Sequence, residues 1–219
     1  MVLNKKKTQI FANNIILNNQ GSTFRLHSPL GNININLPLL GLHNISNALA
    51  AISIAIALQI PLKCIQIGLS KIPKMSGRLE VIKLKKHVTI INDTYNANVA
   101  SMIAAIKVLE KMPGHTIFVS GDIAEMGEMS MLYHKIIGNI IGISRINSVM
   151  SIGVLSKKIS KHSGKGNHFT SFNVLINNLM KKISKYKKVT ILVKGSRSEK
   201  LEKIVEKLIQ EYKNDFSNL

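Results

Sequence analysis

Cysteine occurs once in the 219-residue chain, at Cys64, and no Cys/His spacing of the metal-binding kind surrounds it. One thiol cannot close an internal disulfide, which excludes a stapled secreted scaffold and fits a reducing cytosol. Tryptophan is absent and aromatic residues make up only 5%, leaving few platforms on which bases could stack. Prolines number 5 against 45% hydrophobic residues, a balance that excludes a disordered chain. Long apolar runs are missing as well. The longest, residues 45–60, carries Asn47, Ser53 and Gln59, falls short of the ~20 residues a membrane span needs and reads as a buried helix. The lysines at 5–7 resemble the start of a signal peptide, but no uninterrupted apolar stretch follows, so no targeting segment is read.

Negative charge is the scarcest commodity. Eleven acidic residues face 30 basic ones, for a formal charge of +19 and a pI near 10.1. Such a surplus raises nucleic acid or an anionic membrane surface as partners. Only four of the cations are arginine (Arg25, Arg78, Arg145, Arg197), and the lysines are scattered among Ile and Asn, which is compositional bias rather than a binding stripe. No nucleic-acid or membrane partner is therefore expected. Aspartate occurs three times, at 93, 122 and 215.

Residues 8–37 read as a β-meander broken by the turn signals Asn18-Asn19-Gln20-Gly21 and Pro29-Leu30-Gly31. Helices are predicted over about 44–59 and 62–72, the second opened by Pro61. The stretch 71–77, "KIPKMSG", is the candidate linker. Beyond it, strands and helices alternate: strands near 79–84 and 87–92, helix 99–111, strand 115–120, helix 130–142, strand 146–152, helices 154–162 and 171–184, strand 188–194, helix 198–212. Runs such as "TIFVS" and "VTILV" suit strands covered on both faces, so this half is predicted to be an α/β layer with a mostly parallel sheet.

In such sheets ligands sit outside the carboxyl ends of the strands. Three predicted strands end there in polar loops: "NDTYNANVASM" (92–102), "GDIAEMGEMS" (121–130), whose helix Ser130 would cap, and "VKGSRSEK" (193–200), whose Glu199 would sit at a positive helix end. Turning and capping alone require Gly, Asp and Ser in such places. They do not require a Lys and an Arg around Gly-Ser, a combination suited to an anion through backbone N–H groups, helix dipole and a planar guanidinium. This is not a Walker A loop, and neither is "SGKGNH" (163–168), because the upstream glycine is missing.

The segments "LPLLGLHNISNALAA" (37–51), "SGRLE" (76–80), "NDTYNANVASM" (92–102), "GDIAEMGEMSMLYH" (121–134) and "VKGSRS" (193–198) occur in the same order in the C-terminal portion of the Mur ligases, which the chain resembles over nearly its whole length. Val99 departs from the pattern, where many relatives have proline. The resemblance implies an ATP-dependent ligase of peptidoglycan precursor synthesis that activates a UDP-N-acetylmuramoyl-tripeptide as an acyl phosphate and joins it to D-Ala-D-Ala, with Mg2+, in the cytoplasm. It implies that residues 1–75 are the C-terminal part of the central ATP-binding domain, and that 76–219 form a Rossmann-like C-terminal domain. By the family pattern His43, Asn44, Asn47, Arg78 and Asp93 would meet the nucleotide, with Asp93 on the ribose. Tyr95, Asn96, Asn98 and Asp122 would meet substrate, and Lys194, Ser196 and Arg197 the dipeptide or the transferring phosphate. The phosphate loop and the metal ligands belong to upstream family segments, so no metal ligand is assigned here. The chain would then be inactive alone, whether truncated, split or decayed, with a separate N-terminal fragment as a possible partner. The other reading is a non-catalytic nucleotide-binding or basic nucleic-acid-binding module.

Overall fold

The computed structural model describes residues 9–73, 75–85 and 87–214. They form two compact units, Met1–Lys74 and Met75–Leu219, divided inside the Pro/Ser/Gly stretch at 71–77. Thr8, with which the sequence opens its first strand, and Asp215 lie outside the described residues.

The first unit starts with the meander: β1 (Phe11–Leu17), β2 (Ser22–Ser28) and β3 (Gly31–Leu37), antiparallel in the order β1-β2-β3. Asn18 makes the first turn possible, its Oδ1 accepting from the N–H groups of Gln20 and Gly21. The second turn is tight, with Ser28 paired to Gly31 around Pro29 and Leu30. Strict alternation sends Phe24, Leu26, Ile35 and Leu37 to one face, where α1 (Leu42–Ala57) and α2 (Leu62–Ser70) cover them with Ile45, Leu49, Ile52, Ile65 and Leu69.

The second unit is a six-stranded sheet in the order β4-β5-β9-β6-β7-β8, formed by β4 (Glu80–Lys85), β5 (Val88–Asp93), β6 (His115–Ser120), β7 (Ser148–Ile152), β8 (Gly166–Phe169) and β9 (Val189–Lys194). Only the β4–β5 pairing is antiparallel. All six residues of β9 are buried, as a β-branched run covered on both faces should be. Its odd-numbered residues Ile191 and Val193 share a core with Ile117 and Val119 and with α6 (Phe172–Ile183) and α7 (Glu202–Asn214). On the other face α3 (Val99–Leu109) packs on β6 and β9, α4 (Ser130–Ile143) on α3 and α5, and α5 (Lys157–Ser163) on β7 and β8. The right-handed crossover rule accounts for the split. Connections β5→β6, β6→β7 and β7→β8 all run one way along the sheet, and β8→β9 runs back.

Three local expectations are corrected. The strand β8 goes unread in the sequence because it is a four-residue, half-polar edge whose glycine lies against Ser160 of α5. The predicted helix 198–212 is two pieces. Arg197–Glu199 form a 3-10 turn, Lys200 takes φ 52°, and α7 starts at Glu202, so Glu202 rather than Glu199 occupies the positive helix end. Ser130 does not cap α4. Met129 stands at the cap position, and Ser130 Oγ donates to the Gly127 carbonyl instead.

Candidate functional site

Strand order places three loops side by side. Helix α7 leaves β9 on one face while α3 and α4 leave the flanking strands β5 and β6 on the other, so β9 sits at a topological switch point. Parallel register sets Asp93 of β5 and Ser120 of β6 on either side of Lys194. The Lys194 Nζ lies 2.7 Å from Asp93 Oδ2 and donates to the Asn96 carbonyl at 2.9 Å. Asp93 Oδ1 accepts from Leu79 N–H at 3.1 Å. With Lys194 only 2% exposed and Asp93 9%, this ion pair is a buried tie across the switch point, and the lysine points inward rather than into open solvent.

The loop after β6 is held at three consecutive residues by three different elements. The Asp122 carboxylate accepts from the N–H groups of Val154, Leu155 and Ser156, at 2.6–3.0 Å, and so gathers the turn that precedes α5. Ile123 N–H donates to His134 Nε2 at 3.0 Å. His134 is fully buried, and its Nδ1 lies 2.6 Å from the Ser130 carbonyl, so Nδ1 carries the proton and Nε2 is the acceptor. Ala124 N–H donates to Ser196 Oγ at 2.7 Å, while Ser196 N–H returns a bond to the Asp122 carbonyl. Glycine is required where these chains meet. A Cβ on Gly195 would lie 3.0 Å from the Gly121 Cα, and one on Gly153, at φ +128°, would lie 2.4 Å from Asp122 Oδ1. Gly153→Ala is expected to lower stability by about 2–3 kcal/mol through strain and displacement of that carboxylate; urea unfolding measures it, and an unchanged midpoint would show that the tie carries no energy.

Beside the Asp122 loop, Glu199 is only partly exposed. Burial pushes its carboxyl above the ordinary range, the Asp122 charge adds to this, and the Asp122 N–H that hydrogen-bonds it pulls the other way. His168, nearby on β8, is held below the usual imidazole range by burial and by Lys157, against the opposing pull of Asp122. Arg197 is the open member of this loop. Its side chain is 65% exposed and reaches Glu202 at only 3.5 Å, a surface pair of little strength.

In the opening stretch after β5 the amides split between scaffold and surface. Asn92 bonds Glu80 and Thr94. Asn98 caps α3 in a reciprocal box with Ser101, and Val99 follows as the first helical residue. Tyr95 and Asn96 are exposed, and the Arg78 guanidinium lies over the Tyr95 ring at 4.1 Å, forming an open cation–π platform. Tyr95 N–H donates to the Gly77 carbonyl, which fixes the ring beside the arginine.

The remaining sequence-assigned residues lie in the first unit at the start of α1. Asn44 Nδ2 donates to the Leu40 carbonyl, and Asn47, exposed, donates to Asn44 Oδ1 at 3.3 Å. His43 lies beside them, half-buried. The second unit thus brings together Arg78 with Tyr95, Asp93 with Lys194 and Asn96, and Asp122 with Ser196. Sequence reasoning missed His134 and Gly153. His134 lies four residues after Ser130, one helical turn on, but a lone histidine in an amphipathic helix carries no distinguishing pattern. Gly153 is defined only by a carboxylate 31 residues upstream.

A doubly covered parallel sheet with its polar loops at the carboxyl switch point is the architecture of nucleotide- and phosphate-handling α/β domains. A family model described as "Mur ligase, glutamate ligase domain" matches residues 77–197, and one described as "Mur ligase middle domain" matches residues 2–55. The chain belongs to the Mur ligase family. It is 59% identical over 95% of its length to a UDP-N-acetylmuramoyl-tripeptide--D-alanyl-D-alanine ligase of Buchnera aphidicola subsp. Baizongia pistaciae, covering 45% of that protein. To the Escherichia coli protein of the same description it is 40% identical over 94% of its length, again covering 45%. A crystal structure of MurF from Acinetobacter baumannii superposes with a TM-score of 0.87 at 32% identity, covering 92% of this chain and 45% of that one. The chain therefore spans somewhat under half the length of these relatives.

Proposed function

We propose that the chain supplies the tail of the central domain and the whole C-terminal domain of an ATP-dependent ligase that joins D-Ala-D-Ala to UDP-N-acetylmuramoyl-tripeptide in the cytoplasm. The observation that carries this reading is the 59% identity to a protein of that description across 95% of the chain. Residues 1–75 belong on this reading to the ATP-binding domain and 76–219 to the domain that closes on it.

On this reading each assigned residue takes a role that its surroundings can support. The Asp93 carboxylate, beside the Lys194 ammonium, is the acceptor on this rim for ribose hydroxyls. Asn44 and Asn47, with His43, offer amide and imidazole groups to the adenine. Arg78 and Tyr95 present a flat cation and ring to the nucleotide, and Asn96 lines the same loop. Arg197 is the exposed cation for the transferring phosphate or the dipeptide carboxylate. Lys194, Ser196, Asp122 and Asn98 act by holding these loops in place. Bound ATP would supply the phosphoryl group that activates the tripeptide carboxylate. Magnesium is also required on this reading; among the described residues no group of three His, Cys, Asp or Glu side chains could hold a metal. Its ligands are assigned to the upstream part of the central domain. No helix among the described residues is long and apolar enough to cross a membrane.

The test is a hybrid in which the part of the Buchnera relative outside the matched span is fused to, or supplied with, residues 1–219. Phosphate release that requires both UDP-sugar tripeptide and D-Ala-D-Ala is expected. Turnover with diaminopimelate in place of the dipeptide would assign the chain to another Mur ligase. In that hybrid Arg78→Lys is expected to lower kcat/KM about tenfold, because lysine keeps the charge but loses the planar fork and the stacking on Tyr95. Unchanged kinetics would make Arg78 an ordinary surface residue.

A further inference from the structure

The first unit carries a groove of about 760 Å³ lined by Thr23, Arg25, Asn34 and Asn36 of the meander and by Lys63, Gln66 and Ile67 of α2. Its volume falls in the range of small-molecule sites. A β-bulge between Asn13 and Ile16, with Asn14 at φ 50°, interrupts the β1–β2 register along one side. Gln66 fixes the other side. Its Nε2 donates to the Asn34 carbonyl at 2.6 Å, and its Oε1 accepts from Lys63 Nζ at 2.8 Å.

The charge pattern of this unit is one-sided. Residues 1–79 contain no aspartate or glutamate, so nothing within Met1–Lys74 can neutralise Arg25, which stands exposed in the groove. Among the described residues its guanidinium has no hydrogen-bond or ion-pair partner, and the side-chain amides of Asn34, opposite it in register, and of Asn36 are equally uncommitted. This is one of only four arginines in a chain that otherwise uses lysine for positive charge. Beside these donors lie two apolar side chains left open to solvent, Ile16 at 62% and Ile67 at 42% exposure.

We propose that this groove binds an anionic sugar, carrying a phosphate or a carboxylate. The planar guanidinium takes two oxygens of the anion, with the Lys63 ammonium adding charge at the rim. The carboxamides of Asn34 and Asn36 both donate and accept, which is what a ring of hydroxyls needs. Ile16 and Ile67 cover the C–H face of the ring. A neutral sugar lacks the anchor, and a bare anion lacks the body that the amides and isoleucines fit. Every contributing side chain belongs to the first unit, and none is among the residues given a role in the ligase reading, so a failed titration leaves that reading untouched.

The test is an NMR titration of 15N-labelled 1–219 with glucose 6-phosphate, glucuronate, glucose and inorganic phosphate in parallel. Saturable shifts of the Asn34, Asn36 and Gln66 side-chain amides are expected with one or both anionic sugars, and which one responds identifies the anion. Arg25→Ala should weaken that binding tenfold or more while the rest of the spectrum is unchanged, and Arg25→Lys should weaken it less. Absence of saturable shifts with both anionic sugars overturns the proposal. So does equal affinity for inorganic phosphate or for glucose, and so does binding that survives Arg25→Ala.

Discussion

Purified 1–219, given ATP, magnesium, UDP-sugar tripeptide and D-Ala-D-Ala, is expected to release no phosphate above the blank. Phosphoryl transfer depends on positioned positive charge around the transferring group, and removing a single donor of that kind typically costs about 10²–10³ in rate. The rim of this chain has little to give. Lys194 is spent on Asp93, Ser196 is engaged with Ala124 and Asp122, and the described residues form no metal site. Arg78 and Arg197 stand open, but neither can bridge nucleotide phosphates and a carboxylate as a metal does. Supplying the part of the Buchnera relative outside the matched span should therefore raise turnover from undetectable to measurable in the same assay. Substrate-dependent turnover by 1–219 unaided would mean that the catalytic machinery lies within this chain and that the rim has been misread.

Lys194→Ala should cost about 3–5 kcal/mol of stability, the range for removing one partner of a buried ion pair. The loss comes less from the attraction itself than from what remains, a largely buried Asp93 carboxylate, with 12% side-chain exposure, that has lost its cation. The Asn96 carbonyl loses its donor as well. Urea unfolding of the second unit reads the effect. Adding Asp93→Asn to Lys194→Met should recover most of the loss, because removing both charges leaves none stranded. If Lys194→Ala unfolds at the wild-type midpoint, or if the double variant is as unstable as the single one, the pair is not the tie described.

Much of the second unit is legible in the sequence because its signals are local. Runs such as "VTIIND", "TIFVS" and "VTILV" are β-branched and continuous, and the apolar positions of α6 and α7 recur at helical spacing, so element type follows from periodicity alone. The turn after β9 is less legible. Glu199 follows Arg197 as it would at a helix start, yet the left-handed Lys200 breaks the chain there, and Leu201 instead packs at Gly121 and Gly195. The candidate site divides the same way. Asn98 as a cap is readable from residues three apart, whereas His134 as the acceptor for Ile123 is not.

Sequence alone determined that this is an α/β chain with a meander in front, which loops end its strands, and which family those loops resemble, because turn chemistry and hydrophobic period act over a few residues. Tertiary structure alone decided that β9, the last strand, inserts between β5 and β6. The reason is crossover geometry: three connections run one way along the sheet and the fourth returns on the opposite face, a choice that no local stretch encodes. That insertion brings Lys194 to Asp93 and to an Asn96 carbonyl 98 residues away. It makes inward-facing ties of Lys194 and Ser196, residues whose composition reads as an open anion loop, and leaves the exposed chemistry to Arg78, Tyr95 and Arg197.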